Sequence, residues 1–221
     1  MLDRPEPEPQ TGSVTDAAYR HLKEQVLTGC LRPGEELREA RLAQLTGFGR
    51  SPIREALRRL VQEGFIEVRP RLGYRVTAIT LAGVRDLFEM RLLLEPAAVE
   101  LAARRAPLET LEALAPPVHV TYTQDDTEVR RQLLTTNREF HVRIARASGN
   151  DRLAHAIEGL LDEMQRLLFV SIGRRGLPPD HTHEHTVLHD ALLRRDAPAA
   201  RNLAMTHVQA SRRLVLEHFL G

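Results

Sequence analysis

Gly49-Arg50-Ser51-Pro52-Ile53-Arg54-Glu55-Ala56-Leu57-Arg58-Arg59-Leu60-Val61, followed after Gly64 by Phe65-Ile66-Glu67-Val68-Arg69-Pro70-Arg71-Leu72-Gly73-Tyr74-Arg75-Val76-Thr77, is the stretch on which the fold turns. In its first part Ile53, Leu57, Leu60 and Val61 recur at helical spacing as one apolar stripe, with Arg54 and Arg58 together on another face. Ser51 reads as the N-cap and Pro52 as the first helical residue, where a missing N–H costs nothing. After Gly64 the period shortens to that of a strand. Residues 65–68 and 74–77 read as two short strands around the turn 69–73, a β-hairpin rich in positive charge.

Upstream, Ser13 or Thr15 can cap a helix whose apolar positions Val14, Ala18, Leu22, Val26 and Leu27 share a face and which Gly29 ends. Arg32-Pro33-Gly34-Glu35 is a turn by composition, leading to a short helix over 39–45 with Leu42 and Leu45 inward and Gly47 as its stop. Helix, helix, turn, helix and basic hairpin, in that order, is the layout of a winged helix-turn-helix. In that layout the third helix enters the DNA major groove and the hairpin reaches the neighbouring backbone or minor groove. Arg50, Arg54 and Arg58 are spaced four apart and so project along one side of the third helix. A guanidinium fork is the side chain best matched to guanine O6 and N7, and Ser51 at a helix N-terminus suits a phosphate. The competing reading makes these arginines a solvated face paired with Glu55. The surrounding charge favours DNA: between residues 50 and 75, seven bases stand against three acids, including Arg69, Arg71 and Arg75 of the hairpin. The net charge of +1 hides this bias, because residues 13–80 carry twelve Lys/Arg against eight Asp/Glu while residues 81–221 carry eighteen against nineteen.

The run Leu31-Arg32-Pro33-Gly34-Glu35, the helix Gly49 to Leu60 and the wing Gly-Phe-Ile-Glu-Val-Arg-Pro-Arg-Leu-Gly together resemble the GntR family of regulators, over residues 14–79. The resemblance implies that Arg50 and Arg54 read bases, that Arg58 and Ser51 help hold the backbone, and that Gly73 sits at the wing tip. Ala40 stands where many members carry an arginine, which leaves Arg41 as the candidate for that contact.

Residues 1–12 alternate Pro with Glu and offer nothing to bury, so a mobile tail is expected there. From Leu81 onward no strand pattern is found, and turn signals divide the rest into helices over 81–105, a shorter piece ending at Pro116-Pro117, 125–147, 151–172, and two on either side of Asp196-Ala197-Pro198. The expected fold is therefore mainly α. A DNA-binding winged helix-turn-helix with a β-hairpin wing over 13–79 precedes an all-α antiparallel six-helix bundle over 80–221. No run of eighteen apolar residues occurs and no signal-peptide pattern opens the chain, so no membrane span and a cytoplasmic location are expected. Cys30 is the single cysteine, which rules out an internal disulfide; it is expected to be a small packing residue without a chemical role.

Seven of the ten histidines lie between residues 141 and 207. Asn137 and His141 are i and i+4 on one helix, while His185 and His207 belong to a helix pair whose facing sides could meet them in the bundle core. Three neutral imidazoles plus an amide oxygen suit a borderline divalent transition metal, Zn²⁺, Ni²⁺ or Mn²⁺. His181, His183 and His189 flank this set and are expected to be solvated or to lie behind the ligands. The region also resembles the FCD domain of the FadR branch of the same family, over residues 81–218. The resemblance rests on Arg91-x-x-x-Glu95, Asn137-Arg138-Glu139-Phe140-His141, Ser148-Gly149-Asn150, Glu184-His185 and His207. It implies a metal held by an acid at the Asn137 position and by His141, His185 and His207. With Asn137 in the acid's place, the site should bind metal less tightly and attract an anion more strongly. Arg91 is the candidate clamp for a small carboxylate metabolite, because its fork is planar and bidentate; a pair with Glu95 on the helix surface competes with that role. Asn150 reads as a helix cap.

The expected function is a ligand-responsive repressor, a homodimer on two operator half-sites of double-stranded DNA, whose operator affinity responds to a small organic acid bound at the metal. A metal-dependent hydrolase using Glu184 as general base beside the histidines is the alternative from another class. A third reading keeps the DNA binding and makes the bundle a structural dimer without effector.

Overall fold

The computed structural model describes residues 13–117, 127–172 and 179–220, and the chain divides into two compact units between Ile79 and Thr80. The expected tail over 1–12 lies outside the described residues, as do Asp125 and Asp126 at the head of one expected helix.

In the first unit, helix α1 (Val14–Leu27) is capped by the Ser13 hydroxyl, which accepts from the Asp16 N–H at 3.2 Å. Strand β1 (Glu36–Leu37), helices α2 (Glu39–Thr46) and α3 (Arg50–Gln62), and strands β2 (Ile66–Arg69) and β3 (Gly73–Val76) follow. Ala18, Leu22 and Val26 of α1 meet Ile53, Ala56, Leu57 and Leu60 of α3 in a core closed by Leu31, Leu37, Leu42, Phe65, Ile66 and Val76. That apolar contact makes α3 a rigid platform, since a helix this short draws its stability from packing of one face.

Several local expectations are corrected. The expected hairpin forms between β2 and β3, and a third strand not foreseen extends it to an antiparallel sheet in the order β1-β3-β2, because Glu36 and Leu37 pair with Arg75 and Tyr74. A two-residue strand carries no period that composition could reveal. The N-cap of α3 is Gly49, whose carbonyl accepts from the Ile53 N–H at 3.2 Å, so Arg50, Ser51 and Pro52 fill the first turn. Pro52 still loses no bond there, since the first N–H groups of a helix have no partner within it. Val14 is 62% exposed and Leu45 36% exposed, so neither is a core position. Thr46 takes the inward place at the end of α2, its hydroxyl satisfied by the Leu42 carbonyl at 2.8 Å. Cys30 is exposed rather than packed.

The second unit is helical throughout its described residues: α4 (Leu81–Arg105), α5 (Leu108–Glu112), α6 (Thr127–Ala147), α7 (Asp151–Ile172), α8 (Pro179–Leu193) and α9 (Ala197–Leu220). Thr80 caps α4 by accepting from the Gly83 N–H, and Asn150 caps α7 by accepting from the Leu153 N–H at 3.1 Å. α4 is the central element and packs along α9, α6 and α7, while α8 lies against α9. Val99, Ala102 and Ala103 of α4 share one core with Phe140 and Ile144 of α6, Leu188 and Leu192 of α8, and Ala200 and Ala204 of α9. The small residues on α4 and α9 let those two helices approach closely. α4 runs through the buried Pro96, which lacks the N–H that would bond the Leu92 carbonyl.

Candidate functional site

Two constellations carry chemistry, one in each unit. In the first unit, the front of α3 presents Arg50, Ser51, Arg54 and Arg58, all exposed, and α2 presents Arg41, also exposed. Arg54 is held by an acid absent from the sequence reading. Its Nε donates to the two Glu39 carboxylate oxygens at 3.2 and 3.1 Å and its Nη2 lies 3.0 Å from Oε2. The Tyr74 hydroxyl reaches the same carboxylate at 3.4 Å. The hydrogen bond and charge of Glu39 hold the Arg54 guanidinium above its ordinary pKa. Glu39 stands at the head of α2, fifteen residues from Arg54, and no local spacing rule joins them. Arg58 pairs with Glu55 at 3.3 Å, as the solvated-face reading expects of that residue.

The wing is less basic than its composition. Arg75 stands directly opposite Glu67 in the β2–β3 ladder, with its Nη2 2.6 Å from the carboxylate, and Arg69 approaches the same group at 3.9 Å. Arg71 is exposed, adopts φ 66° in the turn, and makes no ion pair among the described residues. Gly73 is not in the turn itself. It pairs with Arg69 as the last ladder position, at φ 108°, and a Cβ there would lie 2.7 Å from the Leu37 carbonyl oxygen. Its requirement for glycine therefore comes from the close passage of β1.

The second constellation is buried in the helical unit. His141 of α6, His185 of α8 and His207 of α9 are each at most 6% exposed, and one ring nitrogen from each lies within 4.8 Å of the others. His141 Nε2 and His185 Nε2 are 3.0 Å apart, and the His141 and His207 rings stack with centroids 5.0 Å apart. Phe140 sets its edge against both His141 and His185, fixing the rings by packing. Asn137, one helical turn before His141, is 7% exposed, and its Oδ1 is buried without a hydrogen-bond partner. A buried amide oxygen left unpaired costs roughly 1–3 kcal/mol, so its retention beside three convergent imidazoles fits a cation as the missing partner. Three imidazole nitrogens with an amide oxygen would suit a transition metal.

Arg91 of α4 is 2% exposed and bound to Glu95, through Nε to Oε1 and through Nη2 to Oε2 at 3.3 Å. The competing pair from the sequence is thus present, but in the core rather than on the helix surface. The Glu95 Oε2 lies 3.8 Å from His141 Nδ1, linking α4 to the triad, while Arg91 Nη1 remains buried without a hydrogen-bond partner. Glu184, one residue before His185, accepts from His207 Nδ1 at 2.7 Å. Of the flanking histidines, His189 bonds the Leu111 carbonyl at 2.8 Å and serves the packing of α8 on α5; His183 is exposed, and the side chain of His181 lies outside the described residues.

No described helix is long and apolar enough to cross a membrane. The model of the bacterial regulatory proteins of the gntR family matches residues 14–76, and that of the FCD domain matches residues 86–210. The chain is 29% identical to the uncharacterized HTH-type transcriptional regulator YdhC of Bacillus subtilis, over 86% of this chain and 85% of that protein. It is also 29% identical to the HTH-type transcriptional repressor GlaR of Escherichia coli, over 86% of this chain and 90% of that protein. Among solved structures, E. coli McbR/YncC superposes with a TM-score of 0.75 at 25% identity, covering 95% of this chain and all of that one. These relatives are regulators, which removes the hydrolase alternative, and the Glu184 carboxylate proposed there as base is engaged with His207. With a GntR winged helix-turn-helix in its first unit and an FCD domain spanning most of its second, the chain belongs to the GntR family of DNA-binding transcriptional regulators, in the FadR-like branch that carries the FCD domain.

Proposed function

We propose that this regulator is a repressor that acts as a homodimer and senses a small carboxylate through a metal held by Asn137, His141, His185 and His207. The orphaned Asn137 Oδ1 beside the buried triad is the observation that carries the reading. A bound Zn²⁺, Ni²⁺ or Mn²⁺ would supply a Lewis-acidic centre for an anionic oxygen. Since all four donors are neutral, no ligand atom offsets the charge of the ion directly, and an anionic ligand would add to the balance. The spare Nη1 of Arg91, held in place by the two bonds that Glu95 accepts, is the donor offered to such a carboxylate.

In the DNA-binding unit, Arg50 and Arg54 are the base-reading forks, Ser51 and Arg58 the phosphate contacts, and Arg41 and Arg71 reach the flanking backbone. GlaR is named a repressor, and this is the sense of control proposed here. The effector must prefer one relative placement of the two DNA-binding units, since equal affinity for both shifts nothing. The test is metal analysis of the purified protein, followed by operator-binding titrations with a panel of carboxylic acids before and after chelation. Bound metal, and an acid whose effect on operator affinity disappears with the metal and with His185→Ala, are expected. An unchanged acid response after complete metal removal would refute the sensing mechanism.

A further inference from the structure

We infer that Glu184 is a positioning residue that fixes the tautomer of His207, presenting its Nε2 lone pair to the metal; this rests on the metal reading above. An ionised carboxylate only accepts hydrogen bonds, so the 2.7 Å contact from His207 Nδ1 to Glu184 Oε2 places the ring proton on Nδ1. The neutral ring then carries its lone pair on Nε2. A histidine side chain in water favours the opposite arrangement, with the proton on Nε2, where that nitrogen could not ligate.

The surroundings of the other two rings differ. His141 Nδ1 is 3.8 Å from Glu95, beyond hydrogen-bond reach, and that carboxylate already accepts twice from Arg91. His141 Nε2 and His185 Nε2 face each other at 3.0 Å. The contact with Glu184 sets the acceptor nitrogen of His207 before an ion arrives. Glu184 adds a second effect: four neutral donors gain an anionic charge one imidazole away, which raises the basicity of the ligand it touches. Because Glu184 and His185 are consecutive on α8, one helix supplies both a ligand and the group that orients the ligand facing it from α9.

The experiment uses the full chain stripped of metal and titrated with Zn²⁺ alone, comparing wild type, Glu184→Ala, Glu184→Gln and His207→Ala. Ring ¹⁵N NMR of the metal-free proteins reports the tautomers. Loss of an outer carboxylate of this kind weakens metal binding roughly 10- to 100-fold. That loss is expected for Glu184→Ala, together with movement of the His207 proton from Nδ1 to Nε2. Glu184→Gln, which keeps an acceptor oxygen without its charge, is expected to lie between Ala and wild type. The thermal transition of the Gln variant verifies that folding is intact. Zinc affinity and tautomer unchanged in Glu184→Ala, with zinc binding lost in His207→Ala, would overturn the role of Glu184 and leave the metal centre standing. Zinc affinity equally weak in wild type and His207→Ala would overturn both.

Discussion

Removing Glu95 while keeping Arg91 tests whether the centre of the helical unit is organised around a buried charge pair. The Arg91 side chain is 2% exposed and that of Glu95 6%, one turn apart on α4, the helix against which α6, α7 and α9 all pack. Glu95→Leu would strand a guanidinium that already has one nitrogen without a partner. Breaking a buried pair from one side costs about 3–5 kcal/mol, because the remaining charge is uncompensated. For a domain of this size each kcal/mol moves the midpoint by about 2–4 °C, so the transition of the second unit should fall by roughly 6–20 °C. The double variant Arg91→Met/Glu95→Leu removes both charges and should recover most of that loss, since apolar replacement of a whole buried pair is often neutral or better. The measurement is calorimetry of wild type, Glu95→Leu, Arg91→Met and the double variant with chelator present, so that metal binding contributes nothing. A Glu95→Leu protein as stable as wild type would refute the reasoning, as would a double variant no better than the single.

Gly73→Ala should destabilise the wing by about 2–4 kcal/mol, the sum of a disfavoured positive φ and a Cβ forced against the Leu37 carbonyl; thermal unfolding reads this, and an unshifted midpoint would show that β1 can yield freely. Arg54→Ala should weaken binding to the specific operator by about 1–3 kcal/mol and to random DNA far less, as competition gel shifts would report; equal loss on both would make Arg54 a phosphate contact. Burial pushes the Glu158 carboxyl up, but hydrogen bonds and charge from Arg146, at 3.2 Å, and from Arg138 outweigh it and hold its pKa below the ordinary value of 4.5. A depressed pKa contributes stability that is present above the ordinary value and is lost as pH falls through the depressed one. The melting temperature of Glu158→Gln should therefore converge on that of wild type below pH 4.5, and a gap that persists or widens there would contradict the assignment.

Features set by periodicity within a dozen residues were legible in the sequence, and features set by contact across the chain were not. The apolar stripe of α3 and the caps at Ser13 and Asn150 follow from local spacing, and the structure contains them. The meeting of His141, His185 and His207 was partly legible, because a dense histidine pattern on three helices suggests a shared core even when the packing is unknown. Glu39 on Arg54 and Glu67 on Arg75 were hidden: each carboxylate belongs to another element than its arginine, and the fold brings the two within 4 Å. β1 was invisible for a related reason, since its two residues become a strand only by pairing with β3. Thr46 rather than the expected Leu45 faces the core because the last turn of α2 satisfies a hydroxyl internally, which lets a polar residue point inward.

The triad's three imidazoles project from three separate helices, α6, α8 and α9. An ion gripped by all three would act as a cross-brace among segments otherwise joined only through the backbone and their packing, and its binding energy would be drawn on whenever those segments part. At a free ion concentration one hundred times its dissociation constant, such a brace adds about 2.7 kcal/mol to the folded state. The durability of this regulator would then rise and fall with the supply of a trace nutrient, independently of any metabolite it answers to.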